Sequence, residues 1–198
     1  TPSKVGIMCV PCINGLDALH KGNVNMITCG GQAFLPLLHL IYQKTDGISY
    51  IEAVSQIASK SAGMSTRINI DNYIMTTEAA VRKFAQVPTC KVILNLNPAV
   101  PEVDMQTTVY VKYSAPVDFG VDSLKAHMDT KVSELRRYIP GFDIVFGPVL
   151  KGNTILVFGV KVRGSGDYLP QYAGNLDIIN CAAIEVTKKI YESRISKQ

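Results

Sequence analysis

Between Gln106 and Val162 the hydrophobic pattern changes period repeatedly. It is strand-like over Gln106–Tyr113, takes a three-to-four spacing over Asp122–Tyr138, and is strand-like again over Phe142–Phe146 and Thr154–Val162. The last two runs are split by the hairpin-like Lys151-Gly-Asn153, so they pair antiparallel within one sheet. In the helical stretch Val121, Leu124, Met128, Val132, Leu135 and Tyr138 form an apolar stripe, with Lys125, Lys131, Glu134 and Arg137 facing water. Strands paired through hairpins and interleaved with amphipathic helices indicate a mixed, largely antiparallel sheet covered by helices, α/β in the broad (α+β) sense.

The rest of the chain fits that frame. Lys91–Leu96 reads as a strand, joined to the Gln106 strand by the proline-rich Asn97–Pro101. Ile48–Ala58 is rich in β-branched residues and reads as a strand, with a helix as the alternative. Ala33–Tyr42 reads as a largely apolar helix ending near Thr45-Asp-Gly47. The spacing of Ile70, Ile74, Ala80 and Val81 predicts one helix over Arg67–Phe84, capped by Ser65 or Thr66. A final helix is expected over Asn175–Ile195.

At 198 residues, 47% hydrophobic and 18% charged, the chain can bury a substantial core as one domain over residues 1–198 or as two small ones. The net charge of +4 is dispersed, the densest basic run being the Lys188–Lys197 tail, so neither a nucleic-acid partner nor a membrane is expected. No apolar run approaches membrane-spanning length. Cys9, Cys12, Cys29, Cys90 and Cys181 are an odd set without framework spacing, which suits a reducing compartment and is read as cytoplasmic. Cys9 and Cys12 have no second pair at metal-site spacing, so no metal is expected. The opening Thr1-Pro-Ser-Lys reads as a processed product or an excised segment, with further sequence expected upstream.

Chemistry concentrates in Asn23-Val-Asn-Met-Ile-Thr-Cys29-Gly-Gly-Gln32, which sets a cysteine and two glycines at the start of the first apolar helix. Unpaired amides and the positive end of a helix dipole lower a thiol's pKa, making Cys29 a candidate nucleophile. The amides of Gly30, Gly31 and Gln32 are candidate donors to an oxyanion formed when the thiolate attacks a carbonyl. The competing reading of Cys29 is an inert buried thiol. The Ser61–Thr66 loop precedes another helix start, where amides can hold phosphate or carboxamide oxygens; otherwise it is a surface loop. No G-x-G-x-x-G follows a strand and opens a helix, so no dinucleotide-binding domain is expected in the chain itself.

Several stretches together carry a family resemblance: Cys9-Val-Pro11 with Asn14, Val24–Ala33, Ser61-Ala-Gly63, Thr66-Arg67, Asn69-Ile-Asp71, Leu96-Asn-Pro-Ala99, Tyr138-Ile-Pro-Gly141, Gly166–Pro170 and Tyr172–Asp177. With the opening Thr1–Gly6, they resemble the acylating acetaldehyde dehydrogenases along nearly the whole chain. The resemblance implies a catalytic and dimerisation domain similar to the C-terminal domain of glyceraldehyde-3-phosphate dehydrogenases, lacking the family's N-terminal NAD-binding Rossmann domain. It also implies oxidation of a small aldehyde with NAD and coenzyme A through a thioester on Cys29, and a homodimer with a 4-hydroxy-2-oxoacid aldolase as partner. The cofactor loop then falls on Ser61, Ala62, Gly63, Met64, Ser65, Thr66, Arg67, Ile68 and Asn69, with a further contact at Asn175.

At one position the chain departs from that pattern. Thr107 stands where the family carries an aspartate thought to accept a proton, and a threonine cannot act as a carboxylate base. Asp104 is offset to the opposite strand face. Asp71 is the remaining alternative, and it also reads as a solvated N-terminal helix carboxylate. His20, His39 and His127 are not read as catalytic. A second reading therefore stands beside the enzyme: a non-catalytic relative whose role is dimer formation or partner binding.

Overall fold

The computed structural model describes residues 5–196; Thr1–Lys4 of the opening motif and Lys197 of the basic tail lie outside the described residues. A short parallel pair, β1 (Ile7–Met8) and β2 (Val24–Asn25), flanks the one-turn α1 (Pro11–Asn14) and a 3-10 segment, Gly15–His20. The chain then enters α2 (Cys29–Lys44), β3 (Ile48–Ala58), the short α3 (Met64–Ile68) and α4 (Ile70–Ala85). It continues through β4 (Thr89–Asn97), β5 (Met105–Tyr113), α5 (Val121–Leu135), β6 (Phe142–Lys151), β7 (Ile155–Val162) and α6 (Gly174–Ile195).

One five-stranded sheet, ordered β4-β3-β5-β7-β6, organises the fold. Only β3 and β4 run parallel, and α4 supplies the crossover such a pair requires; the other neighbours are antiparallel. One face is buried under α2, α4 and α5, with Ile51, Ile57, Val109, Val111, Phe158 and Val160 each at most 1% exposed. Two hydroxyls interrupt it: Ser55 and Thr107 pair across β3 and β5, with Oγ and Oγ1 2.8 Å apart. The opposite face is open and carries half-exposed Tyr110, Phe146 and Val149. With Phe34, Leu35, Leu37, Leu38 and Ile41 all fully buried, α2 is a core helix, in contact with α4, α5 and α6.

The expected elements form, with informative differences at their ends. Ile48–Ala58 is a strand, not the alternative helix. The single helix expected over Arg67–Phe84 is two helices, broken at Asn69 (φ −113°, ψ 28°), and neither Ser65 nor Thr66 caps α4. Asn69 instead turns its Nδ2 back to the Ser65 carbonyl at 2.9 Å, a local bond that competes with helix continuation. Strand β6 runs past Phe146 to Lys151 because irregular pairing around Gly147-Pro148 lets it absorb a proline. Its turn to β7 has positive φ at both Gly152 and Asn153, and the pairing of Lys151 with Ile155 closes a three-residue loop, Gly152 to Thr154.

Candidate active site

Cys29 is the first residue of α2, set there by the segment before it. Thr28 is extended and caps the helix, its Oγ1 accepting from the Gly31 amide at 3.0 Å and pairing with Thr77 Oγ1 of α4 at 2.8 Å. Ile27 holds a left-handed backbone (φ +65°), strained for a β-branched residue, and the Asn25 side chain fixes it by accepting from the Ile27 amide at 2.8 Å. The two glycines make room. A Cβ on Gly31 would lie 2.9 Å from Ile27 Cγ2, and one on Gly30 would collide with the Tyr73 hydroxyl.

Cys29 lies in a cleft of about 390 Å³ that also takes in Ser65, Thr66, Asn69, Asn72, Tyr73 and Ile179. Among the described residues lining it there is no Asp, Glu, Lys, Arg or His. The structure thus brings the candidate nucleophile together with part of the expected cofactor loop. Ser61 and Ala62 are buried at the base of that loop, Met64 and Ile68 project outward at 71% and 73% exposure, and Gly63 is exposed at the α3 start. Arg67 is spent within the loop, Nε donating to the Ala62 carbonyl and Nη2 to the Ser59 carbonyl and Oγ. Because α3 is a single turn, the anion-holding helix start expected after Ser61–Thr66 is not formed. Asn175, 4% exposed, reaches the same loop through Nδ2 to the Ser61 carbonyl at 3.4 Å, while its Oδ1 has no partner.

Two expectations about the thiol need correction. Of the three proposed oxyanion donors, the Gly31 amide is taken by Thr28 Oγ1 and the Gln32 amide by the Thr28 carbonyl at 2.9 Å. The Gln32 side chain, 1% exposed, clamps the Cys9 and Met26 carbonyls at 2.8 and 2.9 Å. The Gly30 amide alone of the three faces the thiol. Nor is the thiol acidified: burial pushes Cys29 up to about 11, outweighing the Gly30 amide and the Tyr73 hydroxyl that act against it.

The remaining candidates separate cleanly. Thr107 is 1% exposed and bonded to Ser55. Asp104 precedes β5, and Asp71 is an exposed residue in the first turn of α4. His39 donates Nδ1–H to the Phe84 carbonyl at 2.6 Å and accepts from Gln43, a structural role. His127 bonds the Ser123 carbonyl on its own helix, and His20 ends the 3-10 segment.

Tyr73 is the residue the sequence reading passed over. Its hydroxyl is buried within electrostatic reach of Cys29, Ser55 and Thr28, without a hydrogen bond of good geometry to any of them. Burial first, then the neighbouring Cys29, hold its pKa well above the usual tyrosine range. A signal existed: Tyr73 and Thr77, four apart, put hydroxyls on the face of α4 that otherwise buries Ala80, Val81 and Phe84.

All five cysteines are free, and among the described residues no cluster of three metal-ligating side chains occurs. No described helix is long and apolar enough to cross a membrane.

Comparison with known proteins adds independent findings. The sequence model described as prokaryotic acetaldehyde dehydrogenase, dimerisation, matches residues 29–170. The acetaldehyde dehydrogenase of Pectobacterium atrosepticum is 51% identical over 199 residues, covering 100% of this chain and 66% of that protein. Those of Burkholderia pseudomallei and Geobacillus stearothermophilus are 53% and 41% identical, over 94% and 100% of this chain and 61% and 66% of theirs. The chain thus spans a little under two thirds of these relatives. In structure it is similar to aspartate semialdehyde dehydrogenase II of Vibrio cholerae, with TM-score 0.56 and 14% identity over 93% of this chain and 65% of that one. A probable aspartate-semialdehyde dehydrogenase of Pseudomonas aeruginosa gives TM-score 0.54 at 9% identity, over 93% and 69% of the two chains. At such identities the likeness is one of fold, and it agrees with the mixed, largely antiparallel sheet covered by helices expected from the sequence.

Proposed function

Because the chain belongs to the prokaryotic acetaldehyde dehydrogenase family, matching its dimerisation domain, we propose that it is the catalytic and dimerisation portion of an NAD-dependent, CoA-acylating enzyme for small aldehydes. The observation that carries this reading is Cys29 at the first position of α2, opening into a cleft shared with the Ser65–Asn69 segment. The sulfur of Cys29 adds to the aldehyde carbon, and the Gly30 amide faces the charge that develops. Loss of hydride from that carbon leaves a thioester on Cys29, which the thiol of CoA cleaves to release acyl-CoA.

Residues suited to a nicotinamide cofactor are present. Ser65, Thr66 and Asn69 line the cleft, and the unpartnered, buried Oδ1 of Asn175 is the kind of acceptor a carboxamide satisfies. Ser61 and Ala62 shape the base of this loop, and Arg67 holds it closed. When bound, NAD supplies the acceptor for the hydride. The domain that grips its pyrophosphate belongs, in this reading, to a preceding Rossmann domain of the parent protein, and exposed Met64 and Ile68 suit its approach. A homodimer through the open sheet face, with a 4-hydroxy-2-oxoacid aldolase delivering the aldehyde in the cytoplasm, completes the proposal.

The raised Cys29 thiol and Thr107 in place of a carboxylate favour a second reading, in which the chain is a non-catalytic dimerisation relative. Intact-mass spectrometry after exposure to acetyl-CoA separates the two. Acetylation of the chain that is lost in Cys29→Ala supports the enzyme. If the full-length parent takes no acetyl group, or Cys29→Ala labels as well as the native chain, the enzyme reading fails.

A further inference from the structure

The cleft is lined by residues uncharged at neutral pH, yet the proposed chemistry needs an anion to form there, first on sulfur and then on oxygen. The Gly30 amide is one donor facing that charge. A second buried donor stands unused against the same atoms. The Tyr73 hydroxyl is buried and has no hydrogen-bond partner. It occupies the space that a Gly30 side chain would fill, with Ser55 Oγ beside it, 3.2 Å from the same Cβ position. Ser55 is itself held by Thr107, so the hydroxyl behind Tyr73 is fixed by a strand pair rather than by a loop. An unsatisfied buried hydroxyl costs stability, and native structures keep few of them. One that abuts the first turn of the nucleophile's helix has a partner to gain during the reaction.

Resting on the reading of Cys29 as nucleophile, we propose that Tyr73 is a catalytic residue: its hydroxyl, free of protein partners in the resting chain, donates the hydrogen bond that stabilises negative charge on Cys29 Sγ and then on the oxygen of the added aldehyde. The Cys29 S–H bond breaks and its proton passes to solvent water in the open cleft; the sulfur lone pair then forms the C–S bond and the carbonyl π pair moves to oxygen, while the O–H bond of Tyr73 stays intact. Because burial keeps the phenol protonated, it serves as donor and not as base. Thr107 and Ser55 do not replace the missing carboxylate; bonded to each other, they leave Ser55 Oγ beside the tyrosine hydroxyl.

Iodoacetamide labelling from pH 7 to 12, read cysteine by cysteine through peptide mass spectrometry, tests this on the 198-residue chain. Tyr73→Phe is expected to slow Cys29 labelling by about tenfold or more at each pH below its midpoint, the effect of losing a hydrogen bond to a charged acceptor. The midpoint moves upward, while Cys9 and Cys90 label at their native rates. The same variant is expected to melt higher, since it deletes an unpaired buried hydroxyl; a tyrosine serving only to hold the fold would melt lower when truncated. Incorporating 3-fluorotyrosine at position 73 makes the phenol a stronger donor and is expected to lower the midpoint, which keeps the test decisive if Tyr73→Phe folds poorly. Native Cys29 labelling in Tyr73→Phe, or an unmoved midpoint in the fluorinated chain, overturns the proposal. Failure of acetyl transfer from acetyl-CoA in the full-length parent would instead overturn the dehydrogenase reading, and the labelling result stands apart from it.

Discussion

Thr28→Val isolates the device that places Cys29 at a helix start. Thr28 Oγ1 accepts from the Gly31 amide at 3.0 Å and pairs with Thr77 at 2.8 Å. Valine keeps the shape and suits the extended backbone at φ −145°, ψ 163°, so the change removes the hydroxyl with little strain. Losing an N-cap bond costs about 1 kcal/mol. The Gly31 amide, on a buried residue, is then left without that acceptor, which brings the total to about 2 kcal/mol. Thr77 keeps the Tyr73 carbonyl as acceptor at 2.7 Å and adds no second orphan. For a chain of this size 2 kcal/mol lowers the melting temperature by roughly 4–8 °C. Thr28→Ser, which retains the oxygen, should stay within about 0.5 kcal/mol of the native chain. Urea titration should show a lower midpoint at unchanged slope for the valine variant alone. Equal stability of Thr28→Val and the native chain would refute the claim that this hydroxyl anchors the first turn.

Three further outcomes are expected. Burial pushes the Cys9 and Cys29 thiols from 9.0 up to about 11, so the folded chain binds those protons more tightly than the unfolded one. Their contribution is complete below pH 9 and is lost as pH rises toward 11, so chemical denaturation should show stability falling across that window, less steeply in Cys29→Ala. Gly30→Ala should destabilise by about 1–3 kcal/mol because its Cβ meets the Tyr73 hydroxyl; Tyr73→Phe in the same chain should restore part of that in thermal melts, a coupling absent if the two residues do not touch. Phe146→Asp with Val149→Asp, both on the half-exposed face of β6, should convert a dimer to a monomer in analytical ultracentrifugation, and an unchanged mass would place the dimer contact elsewhere.

Legibility in the sequence followed how local the determining force is. The Lys151-Gly-Asn153 turn and the stripe of α5 were readable because a tight hairpin turn and a helical period are set by neighbours in sequence. The break at Asn69 was not, since residues on both sides keep a helical spacing and only the bond from Asn69 to the Ser65 carbonyl ends the first turn. Cys29 was legible as the start of a helix. The fate of the amides after it was not, because Thr28 claims two of them. Tyr73 needed the tertiary structure: its neighbours come from α2, β3 and the segment before Cys29, far apart in the chain.

The raised thiol and the proposed catalysis then follow from one cause. A helix start lowers a thiol's pKa, but here partial burial opposes it, and the cost of desolvating a thiolate exceeds the gain from the Gly30 amide. Raised in this way, the Cys29 thiol is neutral in the resting chain at pH 7. The same loss of solvation strengthens a hydrogen bond made to a charge once it exists, because less solvent screens it. A hydroxyl such as Tyr73, idle while the thiol is neutral, therefore gains its full value when the anion forms, which is the condition for lowering a barrier and not merely a ground state. A charged base in the same cleft would be desolvated as severely as the thiolate, and neutral donors bear no such penalty.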